Sequence, residues 1–121
     1  MEINENFILH VGNLTWKHDG GMAVNAEWKG GGAKAWYVVY LAAFDETGKH
    51  VVSLFLNAPR IGSDNWTAYR IGYPVEAAKD PDIVTRAREA VFAFQASGFP
   101  IEPFELPLFD PDGKQIGVRA S

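Results

Sequence analysis

Apolar and polar positions alternate along the first two thirds of the chain in short segments rich in aromatic and β-branched residues, separated by Gly, Asn and Asp. That is the pattern of β-strands joined by turns, and five strands are predicted from it. The first spans 7–16 and the second 22–28, linked through His18-Asp19-Gly20-Gly21, where Asp-Gly suits a tight hairpin. In the second, Met22, Val24, Ala26 and Trp28 share one face and Ala23, Asn25 and Glu27 the other, so one side meets a core and the other is partly wet.

The third strand, over 35–44, is different. Trp36, Val38, Tyr40, Ala42 and Phe44 lie on one face and Ala35, Tyr37, Val39, Leu41 and Ala43 on the other, so both faces are apolar. Such a strand belongs in the middle of a sheet covered on two sides. A fourth strand over 50–57 follows Asp45-Glu46-Thr47-Gly48. A fifth, over about 65–73, follows a loop with Pro59, Arg60 and Ser63 and is ended by Gly72 and Pro74.

The period then changes. Ile83, Val84, Ala87, Ala90, Val91 and Phe94 recur at helical spacing and predict an amphipathic α-helix. Asp80 suits the N-cap, Pro81 the first helical position and Asp82 the positive end of the dipole, while Ser97-Gly98 and Pro100 stop the helix. Ala87 and Ala90 keep the stripe thin, so that the backbone can approach a sheet. The tail, 104–109 and 115–119 around Asp110-Pro111-Asp112-Gly113, predicts a second hairpin, with Pro107 confining its first strand to an edge or a bulge. The segments 44–51 and 109–116 match as FD-x-x-GK-x-[VI], which fits a type I turn with a left-handed Gly in both hairpins and requires no shared function.

These elements predict an α+β domain spanning 1–121: an antiparallel, strongly curved, half-barrel-like β-sheet packed against one helix at about 81–96, with a C-terminal hairpin. The alternative is an immunoglobulin-like sandwich in which 89–96 is a strand; the capping residues favour the helix. One helix covers only one face of the sheet. The other face must be closed by curling, by the C-terminal hairpin or by a second subunit, and a homodimer is the economical expectation.

The 121 residues suffice for one core, and 47% apolar with 21% charged residues is a globular composition. Eleven Lys and Arg against fifteen Asp and Glu leave a net charge of −4, the wrong sign for gripping phosphates, so no nucleic-acid partner is expected. The chain has no Cys, which removes disulfides, thiol nucleophiles and Cys-based zinc sites. It has no apolar run near the roughly 20 residues of a membrane span and no signal-like start, so a cytoplasmic location without membrane partners is expected.

Chemistry-bearing motifs are sparse. His10, His18 and His50 have no zinc-motif spacing, and neither GxSxG nor SxxK occurs, so no catalytic, metal or cofactor site is predicted. His10 is expected as a buried or half-exposed structural residue and His18 as a solvated turn residue. Gly30-Gly31-Gly32-Ala33-Lys34 lacks the phosphate-loop pattern and leads into a strand.

The unusual feature is aromatic content: four Trp, four Tyr and eight Phe. Tyr and Trp combine large apolar surfaces with polar tips suited to ligand pockets and interfaces. Arg60 and Arg70 add positive charge near Trp66 and Tyr69. The candidate binding residues are therefore Trp36, Tyr40, Arg60, Trp66, Tyr69 and Arg70. Phe92 projects opposite the helix stripe, among Thr85, Arg88 and Glu89, and is expected to be covered by the C-terminal segment or a second subunit. The leading functional expectation is a non-enzymatic binding protein offering an aromatic-lined pocket or sheet face to a small apolar ligand or a protein partner. The alternatives are an acidic inhibitor that masks another macromolecule and a small acid–base enzyme using His10 or Asp45.

Overall fold

A computed structural model describes residues 3–28, 32–59, 66–97 and 106–119; within these, the side chains of 22–36 and 118–119 are left out of the description. Seven strands form one sheet in sequence order: β1 (Ile8–Val11), β2 (Leu14–Trp28), β3 (Gly32–Phe44), β4 (His50–Ala58), β5 (Thr67–Gly72), β6 (Leu106–Phe109) and β7 (Gln115–Arg119). All neighbours are antiparallel except β5 and β6, which are parallel and are separated by the one helix, α1 (Ile83–Ala96). The fold is thus α+β, with the expected helix and C-terminal hairpin and without the second sheet of an immunoglobulin-like sandwich. The strand order is open, from β1 at one edge to β7 at the other.

The first two strands depart from expectation. The chain turns at Gly12-Asn13, pairing Val11 with Leu14 and Leu9 with Trp16. Gly12 has φ +60°, while no non-glycine residue described has positive φ, so glycine occupies the first central position, as in a type II′ turn. Asp19-Gly20-Gly21, expected to be the hairpin, is instead a bulge inside the long β2, where pairing slips between His18 opposite Leu41 and Gly21 opposite Val39. Gly20 takes φ +106°, and a Cβ on Gly21 would lie 2.6 Å from the Val38 carbonyl oxygen. The same glycines that suit a tight turn also suit a bulge that brings two backbones close.

The 45–49 turn and a one-residue slip after it, which leaves Val51 unpaired, set the central register, with Ala43 opposite Val52, Leu41 opposite Leu54 and Val39 opposite Leu56. All six are buried, and with Ile71 and Leu108 they form the face on which α1 lies. Its stripe of Ile83, Ala87, Ala90, Val91 and Phe94 is buried as expected. Phe94 meets Trp16 edge to face at 4.9 Å between ring centroids, tying the helix to β2. Ile3 and Phe7 also reach the core, through a turn closed by the Phe7 N–H on the Asn4 carbonyl.

The helix start is also shifted. It begins at Ile83 rather than 81, with Asp82 instead of Asp80 at the N-cap and no side-chain cap; Asp80 forms a turn ahead of it, its Oδ1 accepting from the Asp82 N–H at 2.9 Å and its Oδ2 pairing with Arg86 at 3.0 Å. Ahead of it, Val75–Lys79 forms a 3₁₀ turn. Pro107 lies in the interior strand β6, not at an edge; the neighbouring parallel pairing reduces to Ile71 opposite Leu108, so little of a ladder is interrupted. The β6–β7 hairpin extends the sheet beside β5 instead of closing over the second face. Phe92 is left 58% exposed, so the described hairpin does not cover it. No helix among the described residues is long and apolar enough to cross a membrane.

Two substitutions test this packing. Phe94→Ala should cost about 3–5 kcal/mol, the usual range for losing a buried ring. Gly21→Ala, a single methyl near the surface, should cost about 1–3 kcal/mol because backbone must move to admit it. Denaturant unfolding checks both; a Gly21→Ala protein as stable as the parent would contradict the bulge.

Candidate functional site

The face of the sheet opposite α1 holds no helix among the described residues, and its residues shield one another. Along β4, buried Val52, Leu54, Leu56 and Ala58 alternate with half-buried Val51, Ser53, Phe55 and Asn57. The shifted β3–β4 register places Tyr40 opposite Phe55, and Phe55 lies opposite Arg70. Tyr40 meets Phe55 edge to face at 5.1 Å, and the Arg70 guanidinium lies 4.2 Å from the Phe55 centroid and 5.4 Å from that of Phe109. A row of Tyr40, Phe55, Arg70 and Phe109 therefore crosses four strands. Each cation–π contact contributes about 0.5–1 kcal/mol where exposed and up to about 2 where water is excluded.

A bulge in β5 completes the cluster. Phe55 pairs with Arg70 but Leu56 pairs with Ala68, which leaves Tyr69 as the extra residue. Its ring lies 6.1 Å from Phe55. Burial, followed by the neighbouring Tyr40 phenol, raises the pKa of Tyr69 against the opposing pull of Arg70.

Beside the row is a cleft of about 250 Å³ lined by Ser53, Phe55, Arg70, Gly72, Tyr73 and Phe109, among others. Gly72 lies opposite Ser53 and leaves the floor bare; a Cβ there would sit 3.4 Å from the Phe55 ring. Arg70 Nε is buried without a hydrogen-bond partner among the described residues. Asp110 also lines the cleft, but its Oδ1 accepts from the Asp112 and Lys114 N–H groups at 3.0 and 2.8 Å. Burial, and then the charges of Asp110 and Asp112, raise the pKa of Tyr73.

Of the six residues singled out in the sequence, Tyr40, Tyr69 and Arg70 come together here. Trp66 does not: it is 2% exposed, belongs to the buried core cluster and lies 6.0 Å from Tyr37, because β5 starts one residue after it. Arg60 and the Trp36 side chain lie outside the described part. Phe55, Ser53, Gly72, Tyr73 and Phe109 were not singled out. Counting back from the Asp45–Gly48 turn would have set Leu54 opposite Tyr40; Phe55 takes that place because Val51 is an extra residue between the Phe44–His50 and Ala43–Val52 pairs.

The acid–base candidates do not line this cleft. His10 is exposed on edge strand β1, its Nδ1 3.0 Å from Thr15 Oγ1; the Gly12-Asn13 turn puts Leu9 and Val11, rather than His10, in line with Trp16 and Leu14. His18 is half-buried at the bulge instead of solvated, with Nδ1 accepting from the Gly20 N–H at 3.3 Å. Asp45 organises its turn, its Oδ1 accepting from the Thr47 and Lys49 N–H groups at 2.9 and 3.0 Å. Asp110 does the same in the other copy of the motif, and Gly48 and Gly113 share φ +84°. No cluster of three potential metal ligands occurs among the described residues. Comparison with protein-family models, curated proteins and solved structures finds no match to this chain.

The pKa directions give two tests. The Thr47 hydroxyl, then the Lys49 N–H, hold Asp45 below its ordinary 3.8. The associated stability is present above the unfolded carboxylate pKa and lost as pH falls through the lowered folded value. Asp45→Asn should keep the turn at neutral pH and weaken the acid dependence of unfolding. Tyr69 and Tyr73 should ionise above 10.0, stability declining as pH rises from there; absorbance titration of Tyr69→Phe should lose one late-titrating phenol. An unchanged alkaline limb would contradict the placement of Tyr69.

Proposed function

We propose that this chain is a non-enzymatic binding protein that offers the sheet face around Tyr40, Phe55, Tyr69 and Arg70 to a small, flat, largely apolar molecule. The observation that carries this reading is the Arg70 guanidinium in contact with both the Phe55 and Phe109 rings at the edge of an open cleft. Rings held by their neighbours lose little freedom when a flat ligand stacks on them, so less of the contact energy is spent on ordering. The cleft is slightly smaller than the roughly 300–1,000 Å³ of drug-sized sites, which suits a one- or two-ring molecule. The half-barrel curl expected from the sequence would wrap this face further around such a ligand. Self-association, the homodimer also expected from the sequence, would compete for the same surface.

The reading is tested by titrating one- and two-ring compounds while following the aromatic resonances of Tyr40, Phe55 and Tyr69. At least one compound should shift these resonances together. Phe55→Ala should weaken its binding tenfold or more, about 1.4 kcal/mol. Shifts confined to the helix side, or a stable dimer whose formation shields these rings from every compound, would overturn it.

A further inference from the structure

We propose that the molecule taken by this face is a small aromatic carboxylate, its carboxylate held by the Arg70 guanidinium and the Ser53 hydroxyl and its ring laid against Phe55. This rests on the binding function proposed above and specifies the chemistry of the ligand.

The first ground is Arg70. The guanidinium carbon lies 4.2 Å from the Phe55 centroid and 5.4 Å from that of Phe109, and these rings supply no oxygen acceptor to its N–H groups. A planar fork of donors matches a carboxylate in a way that a point charge does not. Arg70 forms no ion pair among the described residues, although Asp110 lines the same cleft. With Nε buried and without a partner among the described residues, a half-buried positive charge there has no carboxylate paired with it, a costly arrangement that a bound anion relieves.

The second ground is Ser53. Its Oγ lies 3.0 Å from His50 Nε2, and the same nitrogen lies 3.1 Å from the Val52 carbonyl oxygen. A carbonyl oxygen only accepts, so this geometry places the proton on Nε2, and Ser53 accepts from the histidine. The serine's own proton is left to donate into the cleft that Ser53 lines. The same proton placement argues against a serine nucleophile, because a protonated Nε2 cannot take the proton from Ser53.

The third ground limits the charge of the ligand. Asp110 and Asp112 keep negative charge at the rim, and the chain as a whole carries −4. One negative charge beside Arg70 is balanced, whereas a dianionic phosphate would meet repulsion that the single arginine does not offset. Bare Gly72, opposite Ser53, leaves room for the ring to reach Phe55.

The test uses the full chain with 2-naphthoate, its uncharged partner 2-naphthamide and the dianionic 2-naphthyl phosphate, read by calorimetry and aromatic chemical shifts. Naphthoate should bind at least tenfold more tightly than naphthamide, and the phosphate should bind no better than naphthoate. Arg70→Gln should remove the preference for naphthoate over naphthamide; Arg70→Lys should restore only part of it, and Ser53→Ala should lower it several-fold. Should the arginine variants fail to fold, the three-ligand comparison on the parent chain decides. Equal binding of naphthoate and naphthamide, both dependent on Phe55, would overturn the carboxylate assignment and leave the binding function standing. Tighter binding of the phosphate would also overturn the assignment. Failure of all three to bind would remove both.

Discussion

Among the described residues one helix faces a seven-stranded sheet, and it cannot cover both sides; the arrangement of the described side chains follows from that shortage of cover. Over 37–44 the central strand β3 is apolar or aromatic on both faces, and β4 is apolar on one face and mixes Val51 and Phe55 with Ser53 and Asn57 on the other. On one face of the sheet, the small residues Ala87 and Ala90 let α1 lie close, and Trp16 and Phe94 close the packing. On the other, no helix is described, and side chains shield one another: Tyr40 against Phe55, Phe55 against Arg70, Arg70 against Phe109. A self-covering surface of this kind is only half-buried. Its rings are wet enough to be reached and braced well enough to be rigid, a combination more useful for recognition than for stability.

Arginine at the centre of that row is a compromise. Its flat, weakly hydrated head covers aromatic surface as an apolar residue would, yet it keeps a charge that the surrounding rings satisfy only in part. Leucine at the same position would cover Phe55 and leave nothing for a polar ligand to find. Two of the four described register slips bear on this face or its neighbour. The Gly20-Gly21 bulge lets β2 approach β3 closely, and the Tyr69 bulge adds a ring beside Phe55. The other two lie close to the hairpin turns at 45–49 and 110–114.

Much of the architecture was legible in the residues, because the signals were local and unopposed. The period change at Ile83 marked the helix, and the two FD-x-x-GK-x-[VI] segments marked their turns through an Asp that accepts backbone N–H groups and a left-handed Gly. The reading failed where one composition serves two geometries. Asp19-Gly20-Gly21 is as good a bulge as a turn, and only the competing turn at Gly12-Asn13, which makes 7–16 a hairpin instead of a strand, decides between them. Trp66 and Tyr69 sit three residues apart, and a strand without a bulge would set them on opposite faces. The structure does separate them, the one to the core and the other to the open face, but it places Tyr69 through an inserted residue that no periodicity encodes. Arg70 was visible as charge near aromatic residues. Its partners Phe55 and Phe109 come from other strands and become visible only once pairing is known.

The central claim is that the face opposite the helix is open to solvent in the free protein while the face beneath the helix is not. A soluble gadolinium chelate reports this directly by accelerating the relaxation of exposed protons. The account requires strong enhancement at the ring protons of Tyr40, Phe55 and Tyr69 and little at the methyl groups of Leu41, Leu54 and Leu56. Equal protection of the two sets would show that a second layer covers the aromatic row and would contradict the account.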